Sequence, residues 1–128
     1  MTTINELNQK ICEALGWEER ADSECPGEIR WRVPSSQPWN EYFNDRRING
    51  NDSDCPDFIR DPAEAWRLMV WCRPFFNWVD SKQHYCCRIG DRPPRDDRPA
   101  SYHPHPAIAL ALAFLASKGV QATPPEDA

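Results

Sequence analysis

The chain has 128 residues, a mean hydropathy of -0.77 and a formal charge of -5, from 15 Lys and Arg against 20 Asp and Glu. That length suits one domain with its own core, and the acidic balance excludes a dedicated DNA-binding protein, which needs a basic face against phosphate. No run of eighteen apolar residues occurs, which excludes a membrane-spanning helix.

In chain order, Thr3-Ile-Asn-Glu6 reads as a capping box. Ile4, Leu7, Ile11, Ala14 and Leu15 follow at helical spacing, and Gly16 supplies a left-handed stop. A helix is predicted over 4–15, with Trp17 folding onto the core. The start has neither a basic segment nor the apolar stretch of a secretory leader. A cytoplasmic location with reduced thiols is therefore the expectation for the six cysteines, and Cys12 and Cys72, inside helical patterns, read as small core hydrophobes.

Glu28–Val33 alternates charged and apolar residues, the period of a half-buried strand, and Pro34 ends it. Residues 34–60 are irregular, broken by Pro38, Asn49-Gly50 and Cys55-Pro56, with room for a short helix or an extra strand. Asp61-Pro62-Ala-Glu64 opens a second helix with Asp at the N-cap and Pro at N1. Ala65, Trp66, Met69, Val70 and Cys72 give that helix one apolar face, and Pro74 ends it. Phe75–Val79 and His84–Ile89 read as strands of a hairpin turning at Asp80–Gln83, with the aromatics at 75–78 assigned to core and sheet. Asp91–Pro99 reads as a charged surface loop.

Pro106–Lys118, stopped by Gly119, is a final helix whose ten residues Ala107–Ala116 carry no polar side chain. A helix apolar on all sides must be covered by other elements, and about 15 Å of helix is too short to cross a membrane. The order α, β, loop, α, β, β, α predicts a small three-layer α-β-α sandwich of about three strands and three helices, its sheet lying between helices. One domain over 1–120 and a flexible tail over 121–128 are expected.

Ile4–Trp17, the strand around Trp31, Pro56-Asp-Phe58, Asp61-Pro-Ala-Glu-Ala-Trp66 and Ala107–Gly119 together resemble the phage ABA-sandwich domain of small bacteriophage and prophage proteins. The resemblance covers most of the chain through packing and capping residues. It implies a phage-derived protein acting in bacterial cytoplasm and supplies no catalytic residues.

Three kinds of chemistry are open to these residues. His84, Cys86 and Cys87, with His103 and His105, are the close clusters of soft ligands, but paired cysteines at zinc spacing are missing. In a strand His84 and Cys86 share one face and Cys87 takes the other, so strand packing is the simpler reading and neither metal nor cofactor is expected. A thiol nucleophile at Cys86 or Cys87 lacks any recognised catalytic pattern around it. Binding is the reading the residues favour. Trp39, Tyr42 and Phe43 lie beside Arg46 and Arg47, and Arg88, Arg92, Arg95 and Arg98 lie in or beside the second long loop. Arginine forks match phosphate oxygens and aromatic faces stack on bases, although Asp91, Asp96 and Asp97 nearly cancel that loop's charge. The expected function is a non-catalytic accessory or counter-defence factor docking on a host protein through the Trp39–Arg47 cluster. Sequestration of a small cyclic or ADP-ribose-type nucleotide by Arg88–Arg98 is the alternative, and a thiol or zinc enzyme the second. The hairpin edge also invites a homo-oligomer.

Overall fold

The computed structural model describes residues 2–21, 29–34, 47–48, 52–53, 55–89 and 100–126. Helix α1 spans Ile4–Ala14. Thr3 caps it, its hydroxyl accepting from the Glu6 N–H at 3.1 Å, and Gly16 at φ 84° turns the chain out of the helix. Trp17 then packs its ring 6.3 Å from that of Phe58, as expected of a residue returned to the core.

Helix α2 spans Pro62–Cys72, opened by the Asp61 carboxylate accepting from the Ala63 N–H at 3.0 Å. It ends at Arg73, whose φ of 50° is the left-handed conformation that Pro74 leaves available once the helix cannot continue. Helix α3 spans Pro106–Ser117, with His105 at its N-cap and Gly119 at φ 76° behind it.

Among the described residues seven strands form two antiparallel sheets. β1 (Glu18–Ala21), β2 (Ile29–Arg32), β3 (Arg47–Ile48) and β4 (Asp52–Ser53) make one in the order β1-β2-β4-β3. β5 (Phe75–Val79), β6 (His84–Arg88) and β7 (Ala100–His103) make the other in chain order. The mixed α/β sandwich is therefore the fold class, but the expected strands are shared between two sheets. Local partners explain the division. β2 pairs with β1, placing Trp31 opposite Glu19, and β6 pairs with β5 and β7 through the register Phe76–Cys87–Ser101. β1 and β7 escape a sequence reading because Glu-Glu-Arg-Ala and Ala-Ser-Tyr-His lack an alternating apolar pattern. Of the irregular stretch 34–60, the extra-strand option is realised in β3 and β4.

The core is organised around α3. Ile108, Ala109, Ala111 and Leu115 have no measurable exposure, and Ala113 and Phe114 very little. The helix packs against β6 and β7, against α1 and against α2, so each side of it meets a neighbour. Leu7 and Ile11 of α1, Trp31 of β2, Leu68 of α2 and Cys87 of β6 complete the cluster. Residues 121–126, read from the sequence as part of a tail, run back to the N-terminus. There the Glu126 N–H donates to the Thr2 carbonyl at 3.0 Å, the Thr2 and Thr123 hydroxyls meet at 2.6 Å, and Ala122 packs on the core.

The face that α2 buries differs from expectation. Leu68 and Glu64 point inward, while Trp66 is 62% and Val70 54% exposed. Met69 and Cys72 keep partial contact with the core, and Glu64 is held by the Arg67 guanidinium at 2.7 Å. α3 already fills the interior, so Leu68 alone of the apolar α2 side chains enters it fully, Met69 and Cys72 reach its margin, and Trp66, Val70 and Trp71 are left outside.

Candidate functional site: an aromatic groove

Trp66 stands in one wall of a groove of about 810 Å³, whereas Val70 does not line it. Pro62, Ala65, Trp66 and Met69 recur at spacings of three and four, hence on one face of α2. β5 supplies the opposite wall. Phe76 and Trp78 share a face of the sheet because strand side chains alternate, and Tyr85, in register with Trp78, stands between them. The rings interlock edge-on, with Tyr85 4.9 Å from Trp78 and 6.3 Å from Phe76. Trp78 is fixed by its Nε1–H donating to the Asp80 carboxylate at 2.7 Å, yet stays 44% exposed. Ile59, Pro106, Ala107 and Leu110 add further apolar lining.

The polar groups at the groove are few and largely engaged. Arg60 donates through Nε to Asp57 at 2.7 Å. Burial alone would raise the Asp57 carboxyl, but hydrogen bonds from Arg60, Asn8 and Ile59 outweigh it and hold the carboxyl below its ordinary range. The His105 Nδ1 accepts from the Ala107 N–H at 3.2 Å and so caps α3. The site is built for apolar and aromatic contact, with Arg60 and His105 as charged or polar residues at its margin.

Of the residues singled out from the sequence, Arg88 is fully described, and it does not line this groove. Trp39, Tyr42, Phe43, Arg46, Arg92, Arg95 and Arg98 fall outside the described residues, and of Arg47 only the backbone, in β3, is described. Arg88, half-buried, ends β6 in register with Phe75 and Ala100, on the sheet face opposite Trp78 and Tyr85. His84 and Cys86 do share that face, and Cys87 turns to the core. Burial, with the neighbouring Cys72 and Cys86, pushes the Cys87 thiol up to about 12, the reverse of an activated nucleophile. His103 Nδ1 accepts from the His105 N–H at 2.9 Å, so both histidines spend a ring nitrogen on the backbone at the start of α3. Among the described residues no three His, Cys, Asp or Glu converge as a metal site.

Sequence reading missed the groove because it assigned Trp66 and the aromatics at 75–78 to the core. A signal was present. Ala65, Trp66, Leu68, Met69, Val70, Trp71 and Cys72 are more apolar residues than one helical face can bury. No known family, no curated protein and no solved structure matches the chain.

Proposed function

We propose that this protein acts by binding, without chemistry of its own, and that it docks on a partner protein by seating an apolar, aromatic-bearing strand in the groove between α2 and β5. The carrying observation is the pairing of two exposed tryptophans, Trp66 and Trp78, across a concave surface whose polar groups are few. Tryptophan dominates the energetics of interfaces when it can be desolvated against a partner, and contiguous exposed apolar surface of this kind marks interaction sites. β5 is also an edge strand, since the sheet runs β5-β6-β7 and no strand lies beyond β5 among the described residues. An edge position suits strand addition, which supplies affinity through main-chain hydrogen bonds while alternate side chains enter the groove. The setting proposed is the one the phage resemblance implies, an accessory or counter-defence factor acting on a bacterial protein.

Sequestration of a nucleotide signal is the second reading, favoured by the same exposed indole faces, on which a base can stack. The apolar lining supports it less, because phosphates need charged partners.

The test compares the full chain with Trp66→Ser, at a position exposed enough to leave the melting temperature nearly unchanged. The expected result is a host protein held by the wild type at high salt and bound at least about tenfold more weakly by the variant. Amide exchange in the recovered complex should slow over residues 62–69 and 75–79. Retention that ignores Trp66, or no retained protein, overturns the reading. A melting rise with a nucleotide panel that vanishes in Trp66→Ser moves the conclusion to the second reading.

A further inference from the structure

Away from the groove, the fold brings together two thiols 43 positions apart in the chain. The Cys12 and Cys55 sulfurs lie 3.5 Å apart, and both are free cysteines. Cys12 is fully buried on the inner face of α1, whereas Cys55 is half-buried just before Pro56.

Their approach is held in place by a second contact. Asn8 stands one helical turn before Cys12, on the same face of α1. Its side-chain amide donates to the Asp57 carboxylate at 3.2 Å, and its carbonyl oxygen accepts from the Phe58 N–H at 3.0 Å. The segment that follows Cys55 is thereby pinned to α1, and Pro56 is buried beneath it.

We propose that Cys12 and Cys55 are a reversible oxidation site, closing to a disulfide by exchange with a small-molecule disulfide of the glutathione type. A disulfide bond is about 2.05 Å long, so the sulfurs need to close by about 1.5 Å, within reach of a side-chain rotation at Cys55. The half-exposed Cys55 meets the oxidant first. Its thiolate attacks one glutathione sulfur, the glutathione S–S bond breaks, a Cys55–glutathione disulfide forms, and one glutathione leaves as a thiolate that takes up the proton Cys55 released. Cys12 then loses its proton and attacks the Cys55 sulfur. The Cys12–Cys55 bond forms, and the second glutathione leaves and is protonated. Two protein thiols are oxidised and one disulfide is reduced to two thiols. Burial pushes the Cys12 thiol well up, and contact with Cys55 adds to this. Cys12 is thus a poor first attacker, and the Cys55 sulfur, held 3.5 Å away before reaction, is the target within its reach.

The experiment treats the reduced full chain with oxidised glutathione, quenches in acid and maps the peptides without reduction. The expected map joins the Cys12 and Cys55 peptides, the intact mass falls by two hydrogens, and the melting temperature rises and reverts on reduction. Cys12→Ala is expected to stop at a glutathione adduct on Cys55, and Cys55→Ser to leave Cys12 a free thiol. A bond elsewhere, a lasting adduct on wild-type Cys55, or an unreacted pair overturns the proposal. Should Cys12→Ala fail to fold, the wild-type map and Cys55→Ser still decide.

Discussion

Asn8 is 3% exposed and is one of two buried polar residues among those described, the other being the ion-paired Glu64. It earns no place in the apolar pattern of α1, yet it satisfies the Phe58 N–H and steadies the Asp57 carboxylate, so it joins a helix to a segment 50 residues later. Asn8→Ala leaves that buried N–H without its acceptor, and a loss of about 1–3 kcal/mol is expected in urea unfolding. A second single-residue effect concerns His103. Burial, then the nearby His105 and His84, lowers its ring below the ordinary 6.5, and the neutral ring is the form that accepts from the His105 N–H. The unfolded chain therefore takes up this proton more readily than the folded one. Stability from His103 is complete above pH 6.5, declines as the pH falls from there to the lower folded value, and is then level. His103→Asn, which keeps an acceptor but does not titrate, is expected to flatten that decline in urea midpoints measured across the range.

At the scale of elements, the helix ends were legible in the chain. Thr3, Asp61, Gly16 and Gly119 act where the sequence placed them, because a cap or a left-handed stop depends on residues within one turn. The burial of α3 was legible too, since ten apolar residues have no polar face to turn outward. Leu115, with no measurable exposure, touches the centre of this packing. Leu115→Ala is expected to cost about 2–5 kcal/mol by thermal or urea unfolding, the range for emptying a site that cannot collapse. Helix α2 was misread for a physical reason. Its apolar residues wrap round most of the helix, so periodicity alone could not choose which ones the core would take. Leu68 and Glu64 were taken, and Trp66 and Val70 were left in solvent.

Across the whole molecule, the candidate site exists only where α2 and the hairpin that follows it meet the more distant α3. Trp66 belongs to α2, Trp78 and Tyr85 to the β5–β6 hairpin, and Pro106 and Leu110 to α3. No spacing in the chain announces that meeting, and the aromatic residues looked like core because core and interface draw on the same side chains. The Cys12–Cys55 contact is of the same kind, since packing and the Asn8 side chain bring α1 against a segment more than 40 residues later. By itself the sequence determined what is local: the helices, their caps and stops, the hairpin turn and the one helix that had to be covered. Tertiary structure decided which strands pair, which face of α2 remains outside, where the aromatic groove opens and which thiols touch. Those outcomes rest on competition among residues far apart in the chain for a limited interior, which no local pattern records.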